Sequence, residues 1–262
     1  MLTLSEINIY LIKSLGRISL QSSFVEERGL KYDKRRVLVD ESFGPAAAIH
    51  SQLKDGHEVY HYTLTKGGAT KLKFKLGLSV EEMGEVRYKE MLTVEKALGL
   101  TEMKVDDFPD SGLSEMDPRL IEDAVRNEIE RIKPNIIVSY PVRGISGFHD
   151  HLVMHAVIKR VFLEMKEEGA DYLKRLAFIT LPDEGGETFI NGKTILKRSD
   201  PDTIDCIMPL NDDDIRAMKQ ALACYATYKE TIEKSRVIES IGDKLHFEFF
   251  REKFDLPAKT FT

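Results

Sequence analysis

From residue 35 onward, two hydrophobic patterns alternate along the chain. Short runs rich in Val and Ile alternate with longer stretches in which apolar residues recur at helical spacing. The short runs predict strands at Val37–Val39, Val59–Leu64, Ile136–Ser139, Leu176–Leu181 and Ile204–Met208. Strands that alternate with amphipathic helices are typical of a parallel sheet covered by helices. We therefore predict an α/β fold: a doubly wound, mostly parallel sheet with helices on both faces, whose C-terminal strands leave the parallel order.

Capping signals mark the predicted helices. A helix over 45–55 begins at Pro45, because proline suits a first helical turn, and Gly56 provides its exit. A second helix occupies 79–98, where Ser79 and Glu82 have the spacing of a capping box. Further helices are predicted between Asp117 and Pro134, from about Asp150, and over 211–236.

Composition narrows the classes of function. The chain has 262 residues, 38 Lys and Arg against 44 Asp and Glu, and a net charge of −6, so no basic excess favours nucleic acid as a partner. Cys206 and Cys224 form no metal-binding pair, and their reduced state is expected of a cytoplasmic protein. No apolar run reaches the length of about 18 residues that a transmembrane helix needs.

The first 34 residues do not fit the rest of the pattern. They carry Glu6 early and lack a basic start, so they make a poor secretory signal. An added surface segment or a start codon placed too early is the better interpretation. We expect one domain over 35–262 and an N-terminal extension over 1–34. The oligomeric state stays open, and a homo-oligomer is allowed.

Candidate chemistry is concentrated after the third predicted strand. Gly147 to His155 holds three of the seven histidines. His151 and His155 are four residues apart on a predicted helix and share one side of it, whereas His149 and Asp150 precede them at its start. Imidazoles and carboxylates are the ligands of hydrolytic zinc sites. The alternative is a pair of solvated histidines with Asp150 as the N-cap.

Other polar residues are weaker signals alone. Asp40 and Glu41 follow the first strand, where an acidic pair is usually a turn or a helix cap, although this edge is also where a ligand binds in such sheets. The segment 63–68, TLTKGG, lacks the full pattern of a phosphate-binding loop. Arg87 and Glu90 have the spacing of a surface ion pair, and Asp110 lies in a predicted turn.

Five segments, in order, resemble the LmbE-like or PIG-L family of zinc-dependent N-deacetylases. They are DESFGPAAAIHSQLKDGHEVYHYTLTKGG, GEVRYKEMLTVEKALGL, FPDSGL, RIKPNIIVSY and GFHDHLVMHAV. The resemblance implies a Rossmann-like α/β fold, one zinc ion and removal of an acetyl group from an amino sugar or related amide.

The resemblance also implies roles for individual residues. Asp40 and Glu41 match the last two residues of the family's His-Pro-Asp-Asp-Glu motif, and Asp150 and His151 match the end of its His-Pro-Asp-His motif. Asp40 and His151 would then bind zinc, with His149 nearest to complete the set and to stabilise the oxyanion. Asp150 or Glu41 would act as a substitute base. Arg87, Asp110 and Glu41 would contact the sugar.

The sequence departs from the family at its first motif. VLV runs directly into DESFG, so the His ligand and the Asp base of that motif are missing. A genuine deletion and a faulty gene model both explain the gap. We expect a zinc-dependent deacetylase that takes an N-acetylated amino sugar or glycoconjugate, and the alternative is a sugar-binding protein of the same fold with an impaired zinc site. A nucleotide-binding protein has the fold class but lacks the glycine fingerprint.

Overall fold

The computed structural model describes residues 45–183, 196–235 and 237–260, together with the strand residues 7–9, 18–20, 25–26, 29–30, 36–39, 189–190 and 193–194. The chain divides into two units, Met1–Arg35 and Arg36–Thr262. In the first unit, two antiparallel hairpins pair β1 (Ile7–Ile9) with β2 (Ile18–Leu20) and β3 (Val25–Glu26) with β4 (Gly29–Leu30).

The second unit contains the main sheet and its helices. Its strands are β5 (Arg36–Val39), β6 (Glu58–Thr63), β7 (Glu102–Val105), β8 (Ile136–Ser139), β9 (Arg175–Thr180), β10 (Phe189–Ile190), β11 (Lys193–Thr194), β12 (Cys206–Pro209) and β13 (Lys244–Phe249). Its helices are α1 (Ala46–Lys54), α2 (Leu72–Leu76), α3 (Val80–Leu98), α4 (Pro118–Ile132), α5 (His149–Glu167), α6 (Asp212–Ala223), α7 (Lys229–Ser235) and α8 (Val237–Ile241). Short 3-10 helices occupy Leu113–Glu115, Pro201–Thr203 and Ala226–Tyr228.

Seven strands form a mixed sheet in the order β12-β13-β9-β8-β5-β6-β7. The five strands from β9 to β7 are parallel, and only β13 runs against its two neighbours. From β5, the chain therefore adds β6 and β7 on one side of the sheet. It then crosses to β8 on the other side of β5, and the later strands of the sheet follow on that side. The strand order reverses between β5 and β8, which is where α/β sheets of this kind bind ligands, at the carboxyl ends of the strands.

Hydrophobic residues cover both faces of this sheet. Along β8, Ile136 and Val138 join one buried cluster with residues of α1, α3 and α6, while Ile137 joins a second cluster with residues of α4 and α5. The alternation follows from the two-residue period of a strand. A strand that is apolar on both faces needs helices on both sides, because parallel sheets are stable only when both faces are covered.

The structure confirms the predicted α/β class and corrects it in detail. The strands predicted around β5, β6, β8, β9 and β12 are present, and Ser79 and Glu82 form the predicted capping box. A wholly parallel sheet is excluded, because β13 is antiparallel in the C-terminal part, where departure from parallel order was expected. The continuous helix predicted over 211–236 is wrong: α6 ends at Ala223, and a 3-10 turn separates it from α7.

Among the described residues, no helix combines the length and the apolar character needed to cross a bilayer.

Candidate functional site

The candidate site lies where the loop after β8 enters α5. This loop starts at the carboxyl end of β8, beside the point where the strand order reverses. It places His151 in the first turn of α5. Asp40 and Glu41, which follow the neighbouring strand β5, lie outside the described residues.

The imidazole of His151 is held by the loop that precedes it. Its Nδ1 lies 2.9 Å from the backbone oxygen of Gly144 and 2.9 Å from Oγ of Ser146. A carbonyl oxygen only accepts hydrogen bonds, so the contact assigns the ring proton to Nδ1. Nε2 then carries a lone pair, and it has no hydrogen-bond partner among the described residues. Metal-binding histidines are commonly prepared in this way, with one ring nitrogen donating to a carbonyl.

Ring packing fixes the plane of this imidazole. Tyr140 stacks on His151 with 3.9 Å between ring centroids, and Phe148 meets it edge-on at 5.8 Å. Gly144 has φ +63°, and a Cβ there would lie 2.9 Å from Cβ of His151. Any side chain at this position would push the imidazole away, so the loop requires glycine.

Burial favours the neutral form of His151. It lowers the pKa of the imidazole, and the Gly144 carbonyl and the nearby carboxylates of Asp150 and Asp110 oppose it. The net direction is downward, because a cation loses its hydration when it is buried. A neutral imidazole is the form that binds a metal.

The half-buried side chain of Asp150 is directed toward a neighbouring loop. Its carboxylate accepts hydrogen bonds from the backbone N–H of Ser111 at 2.7 Å and of Leu113 at 3.2 Å. Burial raises the pKa of this carboxyl, although the two N–H donors pull it back down. The helix N-cap is Phe148 and not Asp150, which corrects the N-cap alternative.

His149 is exposed, whereas Asp150 and His151 are partly buried. It stands in the first turn of α5, and none of the described residues forms a hydrogen bond with it. Its proposed part in metal binding or oxyanion stabilisation therefore stays a prediction.

Asp110 is fixed by the loop after β6. Its carboxylate accepts the backbone N–H of Ala69 at 2.7 Å and the hydroxyl of Thr65 at 3.3 Å. Within the segment 63–68, whose sequence partly matches a phosphate-binding loop, the Thr65 hydroxyl is therefore directed at a carboxylate of this protein, as is the N–H of Ala69 directly after it.

Arg87 is buried, with only 4% of its surface exposed, so the interpretation of a surface ion pair is wrong. Its guanidinium donates to Oγ1 of Thr227 at 3.0 Å and lies 3.6 Å from Glu90. The ring of Tyr228 lies against it, with 3.0 Å between the guanidinium carbon and the ring centroid. Burial lowers the pKa of Arg87 to about 10, and Glu90 opposes that shift.

Sequence reasoning did not find Thr227 as the partner of Arg87 and Glu90. Thr227 donates its backbone N–H to Glu90 at 2.8 Å and its hydroxyl at 2.6 Å, across 137 positions of sequence. Ser146 likewise carried no signal, although a hydroxyl five residues before a histidine can reach its ring through a tight loop.

His155 does not join His151 in a shared site. Its Nδ1 lies 2.8 Å from the backbone oxygen of Tyr140, its ring packs on Phe178 at 4.7 Å, and the residue is 8% exposed. The described residues contain no group of three His, Cys, Asp or Glu arranged to hold a metal ion. They do supply one imidazole, His151, whose tautomer and free Nε2 fit a zinc ligand.

Comparisons with known proteins agree with this fold. The profile of the family described as PIG-L: GlcNAc-PI de-N-acetylase matches residues 39–162. No curated protein matches the chain. Among solved structures, a deacetylase of the teicoplanin biosynthesis pathway superposes with a TM-score of 0.61 at 14% identity, over 83% of this chain and 98% of that one.

Two further structures show how widely the fold is used. The 4-carboxy-2-hydroxymuconate hydratase GalB from Pseudomonas putida KT2440 superposes with a TM-score of 0.61 at 10% identity, over 86% of this chain and all (100%) of that one. The N,N'-diacetylchitobiose deacetylase from Pyrococcus horikoshii superposes with a TM-score of 0.57 at 14% identity, over 83% of this chain and 84% of that one. At such identities the likeness establishes the fold and not the reaction.

Proposed function

Residues 39–162 of this chain belong to the PIG-L (LmbE-like) family, and from that premise we propose a zinc-dependent hydrolase that removes the N-acetyl group of an amino-sugar compound. The family and the deacetylases among the structural neighbours support a deacetylase-type hydrolase. The observation in this chain that carries the proposal is His151, whose Nδ1 is hydrogen-bonded to the Gly144 carbonyl while its Nε2 has no partner among the described residues. The hydratase GalB shares the fold, so fold alone does not select the reaction.

The proposed ligands are His151 and Asp40, with His149 as the nearest further donor. The chemistry that zinc supplies when bound is polarisation of an amide carbonyl and acidification of water near neutral pH. His151 keeps its Nε2 available because Gly144 and Ser146 hold the opposite nitrogen. His149, at the solvent side of the same turn, would donate to the developing oxyanion.

Proton transfer and substrate binding involve other residues. The amine must be protonated as it leaves, because an amide anion is a very poor leaving group. The proposed proton carriers are the carboxylates of Glu41 and Asp150, and the hydrogen bonds of Asp150 favour Glu41. Asp110 and Glu41 would accept hydrogen bonds from sugar hydroxyls. Arg87 would use the guanidinium nitrogens that have no hydrogen-bond partner among the described residues.

We keep a second candidate, a sugar-binding protein of the same fold with an impaired metal site. The shortened first motif favours it, because VLV is followed directly by DESFG and the His-Pro-Asp of the family's motif is missing there. Both candidates use Arg87 and Asp110 as the proposed sugar contacts, so the two differ in metal binding and turnover.

The test is to compare wild type with His151→Ala and with His57→Ala. His57 precedes β6 at the amino end of the sheet, so its removal deletes an imidazole far from the carboxyl ends of the strands. We expect wild type and His57→Ala to retain zinc after dialysis against a weak chelator and to release free amine from N-acetylglucosamine derivatives. His151→Ala should lose both. Zinc retention by His151→Ala would overturn the ligand assignment, and absence of zinc and turnover in wild type would favour the binding protein.

A further inference from the structure

Asp150 stands beside His151, but its carboxylate faces another loop. Both of its oxygens accept backbone N–H groups, Oδ2 from Ser111 at 2.7 Å and Oδ1 from Leu113 at 3.2 Å. The contacts cross 39 and 37 positions of sequence. They tie the first turn of α5 to the loop that follows β7.

The backbone of that loop is shaped to receive the carboxylate. Ser111 has φ +63°, a left-handed conformation that is uncommon for a residue with a side chain. Alternation of left- and right-handed residues turns neighbouring N–H groups to one side and forms a concave site for an anion. In this protein the anion is the side chain of Asp150.

The clamped loop carries Asp110, and Asp110 holds a third segment. Its carboxylate accepts the N–H of Ala69, at 2.7 Å, in the loop after β6. Two carboxylates therefore connect three segments at the carboxyl ends of the strands: 65–69, 110–113 and the start of α5. Removal of the Asp150 contacts would leave the Ser111 turn with two unpaired N–H groups, and Asp110 would be held only from the loop after β6 among the described contacts.

A base needs an oxygen aimed at the proton that it removes. Both oxygens of Asp150 are instead aimed at the turn, and each donor stabilises the carboxylate in that orientation. We propose that Asp150 is a positioning residue: it clamps the 110–113 turn and so sets Asp110 beside His151, and it does not transfer the proton. The catalytic part of this inference rests on the proposed deacetylase function, whereas the clamp itself does not.

Amide hydrogen exchange on the unsubstituted protein tests the clamp first. Ser111 is exposed, so its amide should exchange at the rate of a free peptide unless the contact with Asp150 exists. We expect its exchange to be slowed at least about tenfold, as for an amide that exchanges only on local opening. Exchange of the Ser111 amide at the free-peptide rate would overturn the proposal without any variant.

Asp150→Asn then separates positioning from catalysis. An amide side chain accepts only one of the two N–H bonds, so exchange at Ser111 or Leu113 should accelerate about tenfold or more. Asp200→Asn is the matched control, because Asp200 also accepts a backbone N–H, from Asp202 at 3.1 Å, in a different loop. The control should leave exchange at 111 and 113 unchanged.

The kinetic readout uses N-acetylglucosamine as the probe. A positioning role predicts that Asp150→Asn raises KM more than it lowers kcat and keeps the acid limb of the pH profile. A fall in kcat of about a hundredfold or more together with loss of that limb would identify a base and overturn the proposal. A wild-type chain without turnover would refute the proposed function, while the exchange rates would still decide the clamp.

Discussion

The start of α5 and the middle of α3 both bury polar groups, but they satisfy them differently. At the start of α5, backbone atoms are the partners: His151 contacts the Gly144 carbonyl, and Asp150 contacts two N–H groups. In α3, side chains are prominent partners, since Arg87 contacts Thr227, Tyr228 and Glu90.

The difference lies in how many contacts of each side chain stabilise the fold. A backbone partner fixes one atom of a side chain and leaves its other atom available, as at Nε2 of His151. Arg87 and Glu90 are instead largely occupied by each other and by the segment that follows α6, so their first effect is on stability. The comparison predicts that changes in α3 unfold the protein and that changes at α5 alter metal binding.

The largest expected effect comes from a change in the pair of Arg87 and Glu90 in α3. Arg87→Met should lower the free energy of unfolding by about 3 kcal/mol, because it leaves the carboxylate of Glu90 buried without its cation. The double variant Arg87→Met, Glu90→Gln should recover part of this loss. Urea unfolding of the two variants measures it. A loss below about 1 kcal/mol for Arg87→Met would mean that Arg87 is held for a ligand and not for the fold.

His61, a histidine in the core, provides a second test of this comparison. Its Nε2 is also without a partner among the described residues, but it is closed inside the protein, where burial lowers its pKa to about 4. The unfolded chain therefore binds a proton first, so the free energy of unfolding should fall by about 3 kcal/mol as pH drops from about 6.5 to 4. His61→Leu should remove this part of the pH dependence, measured by denaturant unfolding at several pH values. An unchanged slope would contradict the assignment.

Ser146 gives the smallest predicted change. Its hydroxyl lies 2.9 Å from Nδ1 of His151, so Ser146→Ala should weaken zinc binding by about tenfold, as loss of an outer contact to a ligand usually does. Unfolding should stay within about 0.5 kcal/mol of wild type, since Ser146 is only partly buried. Calorimetric titration with zinc measures the affinity. An affinity equal to that of wild type would show that the Gly144 carbonyl alone orients the ring.

Sequence reasoning found what local pattern encodes. The capping box at Ser79 and the run from Ile136 to Ser139 carry their structure in neighbouring residues, and the sheet edge near His151 follows from strand order. The strand β7 was missed because it is short, half-buried and at the sheet edge, so its pattern is weak. The strand β13 is likewise absent from the predicted strands.

The contacts that define the site could not be predicted from the sequence, for a different reason. Asp150 meets Ser111 across 39 positions, and Glu90 meets Thr227 across 137. Backbone N–H groups are present at nearly every residue, so sequence does not mark which of them a carboxylate will find. The roles of Asp40 and Glu41 stay predictions, because they lie outside the described residues.

The most direct test of the central claim is the ring-nitrogen NMR spectrum of His151 during a zinc titration, with His151→Ala used to assign the signal. The account predicts a proton on Nδ1 and none on Nε2 in the metal-free protein, and a shift of the Nε2 resonance as zinc is added. A proton on Nε2, or an Nε2 resonance that zinc leaves in place, would contradict the claim that this imidazole is prepared to bind a metal.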